Sequence, residues 1–104
     1  MAEPPLELIV EKIAAAFKPR RIVMFGSRAR GEASSGSDLD LFVEVESDKP
    51  PPRRATEILK LFGPRKWAMD VVVYTPEEVE RLRNVVGTLV YAIEREGKVL
   101  YERK

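Results

Sequence analysis

Two short apolar runs held apart by a polar loop constrain this chain more than any other feature. Ile22-Val23-Met24-Phe25 ends in Gly26-Ser27, ten residues follow, and Asp38-Leu39-Asp40 opens a second run that reaches Val45. Their length and composition predict strands over 22–25 and 39–45. Residues two apart on an extended chain share a face, so Asp38 and Asp40 point one way while Leu39, Leu41, Val43 and Val45 point the other. One face is acid and the other is core.

The loop has its own chemistry. Gly26, without a Cβ, lets the backbone approach a bulky ligand. Ser27 adds a hydroxyl where a short helix over Ser27–Arg30, ended by Gly31, is expected to begin. Amides, the hydroxyl and Arg28 would then face one anionic group. Two adjacent carboxylates repel, and each is raised in pKa unless a cation lies between them, which argues for a metal. With no His and no Cys in the chain, oxygen ligands favour Mg²⁺ or Mn²⁺ over Zn²⁺. A phosphate cradle beside a divalent-metal face points to nucleotide chemistry.

The flanking sequence supplies the scaffold. Leu6, Ile9, Ile13 and Phe17 space a helix over 6–17, stopped by Pro19. Ser47 to Pro52 reads as a breaker-rich turn, followed by a helix through Ala55, Ile58, Leu59 and Phe62 that Gly63-Pro64 closes. Trp67 to Tyr74 reads as the third strand. Met69, Val71 and Val73 share one of its faces, which leaves Asp70 on the other. A lone carboxylate in an apolar run is costly to bury unpaired, so Asp70 is expected beside Asp38 and Asp40. Thr75-Pro76-Glu77-Glu78 is a helix start with capping-box spacing. A second helical stripe, Val85, Val86, Leu89, Val90 and Ile93, runs from Asn84 to Gly97, and residues 98–103 read as a final strand or an exposed tail. The alternation favours an α/β (α+β) domain with helices packed on a small sheet. Strand order does not follow from the pattern.

At 104 residues the chain is expected to be one domain, 1–104, whose substrate cleft is shallow or shared. A net charge of +1, with acids and bases interspersed, gives no basic stripe for nucleic acid. No stretch approaches the roughly 20 apolar residues of a membrane span, and the start does not resemble a signal peptide. The absence of Cys agrees with a cytoplasmic location. No Gly-x-x-x-x-Gly-Lys-Ser/Thr occurs, which excludes a P-loop ATPase.

Gly26-Ser27, Asp38-x-Asp40 and a later Asp70 inside a strand resemble the DNA polymerase β-like nucleotidyltransferase superfamily. G-S-R-A-R-G at 26–31, S-D-x-D-L at 37–41 and R-E-G-K-V-L-Y-E-R at 95–103 are similar, more narrowly, to its minimal nucleotidyltransferases. The resemblance implies that Asp38 and Asp40 hold two Mg²⁺ ions, ~3.5–4 Å apart in such sites, and that Asp70 completes the site and accepts the proton or binds the nucleophile-side metal. Gly26, Ser27 and Arg28 would contact the nucleoside triphosphate, ATP or another, with Ser37 holding the loop. An acceptor hydroxyl would attack the α-phosphorus and pyrophosphate would leave. Such proteins commonly pair with a helical HEPN-domain protein as a toxin–antitoxin module, in which the transferase adenylylates a tyrosine of the HEPN toxin.

Blander readings compete. A lone Asp-x-Asp is often a solvated turn, and Trp67 and Tyr74 suit a core better than a base-stacking platform. Arg30 reads as solvated or paired with a nearby acid, and the stripe from Val85 to Ile93 reads as core, part of it a candidate partner surface. Functionally, an Mg²⁺-dependent transferase stands against a non-catalytic antitoxin module that binds nucleotide and masks its partner. Acceptor, triphosphate and oligomeric state are not legible from the residues.

Overall fold

The structure is a computed structural model that describes residues 4–32, 38–64 and 67–103. Its elements run α1 (Leu6–Phe17), β1 (Arg21–Phe25), β2 (Leu39–Glu44), α2 (Pro51–Leu59), β3 (Met69–Tyr74), α3 (Pro76–Leu82), α4 (Leu89–Glu96) and β4 (Lys98–Glu102). The strands form one mixed sheet in the order β3-β2-β1-β4. β1 pairs antiparallel with β2 and β4, and β2 pairs parallel with β3.

Both faces of the sheet are covered. On one, Ile9 and Ile13 of α1 and Ile58 of α2 pack against Ile22, Met24, Leu39, Leu41, Val43, Met69, Val71 and Val73. On the other, Val79 of α3 with Val90 and Ile93 of α4 close over Val23 and Phe42. The acid face of β2 is therefore interrupted: two residues beyond Asp40, Phe42 is fully buried, and Glu44 follows it on the same face. The second strand is a core strand on both sides, as a strand between two neighbours and two helix layers must be.

The third strand begins at Met69, with Ala68 contributing its carbonyl to the Leu39 amide at 2.9 Å. Residues 98–103 are resolved in favour of a strand, β4. Thr75 caps α3 through the expected box, its hydroxyl accepting from the Glu78 amide while the Glu78 carboxylate accepts from the Thr75 amide.

Three expectations are corrected. Residues 27–31 form successive turns rather than a helix, because Gly26 and Gly31 at either end both have positive φ and confine the segment. The proline run is the first turn of α2 and not a loop, since Pro51 and Pro52 occupy positions whose amides would have no helical partner anyway. The second helical stripe is interrupted: Gly87 has φ +93°, and Thr88 restarts the helix by accepting from the Tyr91 amide. Val85 and Val86 therefore fall in an exposed turn, while Val90 and Ile93 are core.

Candidate active site

The β1–β2 hairpin and the parallel β2·β3 pair build the site at one end of the sheet. Phe25 stands opposite Asp40, and Asp40 stands opposite Asp70, so the three side chains form a row on one face. Asp38 precedes β2 and is exposed at the mouth of this row, and Asp70 is exposed. The expectation that Asp70 lies with the other two carboxylates holds.

Asp40 shows the electrostatic consequence. Burial, then the charge of Asp70, then that of Asp38 push its carboxyl above the ordinary carboxylate value, and Arg30 only partly offsets them. A cation among these oxygens would relieve all three causes. The residues fit a hard divalent ion: every donor is a carboxylate oxygen, as Mg²⁺ prefers. Among the described residues no three acidic side chains converge as a ready-made cage. The row supplies ligands that an ion would have to draw together.

Gly26 is tied to the same carboxylate. Its φ is +79°, and a Cβ built on it would collide with Asp40 Oδ2. A side chain there would incur left-handed strain and also displace the carboxylate. The Gly26 carbonyl accepts from the amides of Ala29 and Arg30 at 3.1 and 3.2 Å, and the Ser27 carbonyl accepts from Glu32 at 2.9 Å. This folds the Ser27–Gly31 turn beside the acid row, with Ser27 and Arg28 half-buried in it.

Arg30, read from sequence as solvated or paired with a nearby acid, is paired with Glu32, and the structure adds its influence on Asp40. Its guanidinium is about half-exposed and bonds Glu32 at 3.0 Å, yet its charge is felt at Asp40. The signal was its place four residues after Gly26, where a closed turn returns the side chain to the strand end. Ser37 and most of the 32–37 loop lie outside the described residues.

The aromatics follow the bland reading. Trp67 packs against the core on the face opposite the carboxylates. Tyr74 shares their face but sits at the far end of β3, stacked on Phe42 at a ring separation of 5.5 Å.

The fold is thus a small mixed sheet with helices on both faces, carrying a row of carboxylates beside a glycine turn. The fold is similar to that of a proposed nucleotidyltransferase from Sulfolobus solfataricus, with a TM-score of 0.66, 21% identity, and 94% of this chain and 78% of that chain covered. A family model for the nucleotidyltransferase domain matches residues 6–103. The chain belongs to that family. A search of curated proteins finds no match. No helix among the described residues is long and apolar enough to cross a membrane.

Proposed function

We propose that this nucleotidyltransferase-family protein uses Mg²⁺ to transfer AMP from ATP to a hydroxyl acceptor, a tyrosine of a HEPN-type partner, and so acts as the antitoxin of a toxin–antitoxin pair. The observation that carries the catalytic part is the Asp40–Asp70 register, with Asp38 at its mouth and Gly26 against Asp40. The partner and the tyrosine rest on the resemblance of the 26–31 and 37–41 motifs.

Asp38, Asp40 and Asp70 would hold the ions, two in this reading. When bound, the metal would neutralise charge on the phosphates and acidify the acceptor hydroxyl. The chain's own residues do the rest. The Ser27–Gly31 turn receives the triphosphate, with Arg28 directed to phosphate oxygens. Asp70, exposed at the outer end of the row, takes the proton from the acceptor. Phe25 walls the inner end of the row and keeps water from that side of Asp40.

The test is incubation of the purified protein with Mg²⁺ and α-phosphorus-labelled ATP, with and without its HEPN-type partner. Label is expected on the partner in the wild type and on nothing in Asp38→Ala/Asp40→Ala. Undiminished labelling by the double variant would refute the catalytic reading. A double variant that no longer labels but still neutralises the partner would favour masking.

A further inference from the structure

The two outer strands of the sheet are not alike. β4 is guarded as exposed edges usually are: its pairing with β1 is broken by an irregularity at Ile22/Val23, and it carries Lys98 and Glu102. β3, Met-Asp-Val-Val-Val-Tyr, has no lysine and no proline, and pairs with β2 in unbroken register from Leu39↔Met69 to Glu44↔Tyr74. Its outer backbone is open at Met69 and Val71. The carbonyls of Ala68 and Tyr74 accept from Leu39 and Val45 of the β2 side, so the alternation of a parallel ladder turns the main-chain groups of residues 69, 71 and 73 outward. Arg54 donates to the Val73 carbonyl at 3.3 Å. The outward groups of Met69 and Val71 have no partner among the described residues.

A mainly apolar groove of about 310 Å³ follows this edge, with Pro51, Pro52 and Ala55 of α2 on one side, Val71 to Tyr74 along its floor and Glu78 on the other. Unpaired amides and carbonyls in a row match another backbone, which identifies the occupant as an extended polypeptide rather than a small molecule or a helix. The edge is also continuous with the catalytic row Phe25–Asp40–Asp70. A fifth strand lying antiparallel to β3 would place one residue opposite Asp70 in a non-hydrogen-bonded pair, where Cα atoms approach to about 4.5 Å. Its side chain would stand on the face of the carboxylates.

We propose that the outer edge of β3 is the acceptor-docking site: an extended segment of the acceptor protein adds to the sheet and sets its hydroxyl-bearing residue opposite Asp70. This rests on the nucleotidyl-transfer reading and deepens it. The acceptor oxygen forms a bond to the α-phosphorus and its proton passes to Asp70. The bond from that phosphorus to the bridging oxygen breaks, and pyrophosphate leaves with the electron pair. The residue immediately before the hydroxyl-bearing one falls opposite Val71, on the face of the sheet that α2 covers, so a small apolar side chain is specified there.

The test uses the whole protein and a pool of peptides with a central tyrosine, serine or threonine and a valine immediately before it, beside the same pool N-methylated on alternate amides. Site-resolved hydrogen exchange is expected to show peptide-dependent protection of the Met69 and Val71 amides, lost with the N-methylated pool. Val71→Pro removes an outward amide that β2 does not use, and Pro52→Trp fills the groove from an exposed position. Each is expected to weaken peptide binding at least 10-fold, with melting curves confirming that at least one is folded. Unchanged affinity in a folded variant would overturn the proposal. So would protection that depends on protein concentration and not on peptide, which would assign the edge to a second copy of the chain. Protection without any label transfer would leave docking standing and remove the transfer reading instead.

Discussion

Asp40 and Glu44 stand on the same strand and the same face, with Phe42 between them, and their surroundings are opposite. Glu44 is only 6% exposed and accepts from Arg21 Nε at 2.6 Å. Arg21 also pairs with Glu94 at 2.5 Å and lies over the Phe42 ring, and Glu94 reaches on to Arg83 at 2.6 Å. At that end every buried acid has a cation. Burial alone would raise Glu94, but the Arg21 hydrogen bond and charge, with Arg83 behind them, hold its carboxyl below the usual range. Asp40 moves the other way, through burial and two like charges. One strand thus carries a carboxylate satisfied by a cation, which fastens the fold, and one held among like charges, which the proposed function assigns to the site.

The sharpest way to break this contrast is at the unsatisfied end. Asp40→Asn is expected to lower nucleotidyl transfer by about 10³-fold, the loss of several kcal/mol of charge stabilisation. Because it removes repulsion, it should leave the melting temperature equal or raise it by roughly 1–4 °C after allowance for solvent screening. Labelled-ATP transfer and calorimetry on one preparation check both, and a clear fall in melting temperature would make Asp40 a structural residue. At the satisfied end Arg21→Met should do the reverse. It strands the buried Glu44, leaves the partly buried Glu94 with Arg83 alone, and should cost about 3 kcal/mol, measured by urea unfolding, with little change in transfer per folded molecule.

Gly26 joins the two effects. Gly26→Ala is expected to cost about 1–2 kcal/mol through its positive φ and to lower transfer by about 10- to 100-fold by displacing the Asp40 carboxylate, so neither assay alone should be spared. The smallest effect concerns acid. Glu94 and Glu78 titrate below their ordinary value of 4.5 in the folded state, so their contribution is present above that value and is lost as pH falls through the lowered ones. Glu94→Gln should therefore be less stable than the wild type at neutral pH, the gap closing as pH drops well below 4.5. A gap that does not change with pH would mean that Glu94 acts through packing.

What the sequence revealed, and what it withheld, follows from the range of each signal. The alternation in β2 and β3 put Asp38, Asp40 and Asp70 together because side-chain period is local, and the Thr75 capping box was legible for the same reason. The parallel pairing of β2 with β3 was not, since a strand's pattern tells which face is buried and nothing about its neighbours. Val85 and Val86 misled by continuing a helical spacing across Gly87, whose positive φ ended it. The burial of Phe42 under α3 and α4 was equally out of reach, since it depends on helices far along the chain. The influence of Arg30 on Asp40 was not legible, because it depends on how the turn after Gly26 folds beside the end of β2.

The pairing of β1 with β4 has a consequence for how the protein is made. Arg21 meets Glu102, and beyond it the Arg103 amide and guanidinium donate to the carbonyls of Arg20 and Lys18 at 2.9 and 3.2 Å. During synthesis the β1–β2 hairpin and the turn after Gly26 emerge early, while one flank of β1 stays open until residues near 102 have left the ribosome. A nascent chain therefore holds its hairpin before it holds its closure, and contacts so distant in sequence form late. In that interval β1 is as available as the edge of β3, and a chaperone, or a partner already waiting, would meet a sheet with two open sides.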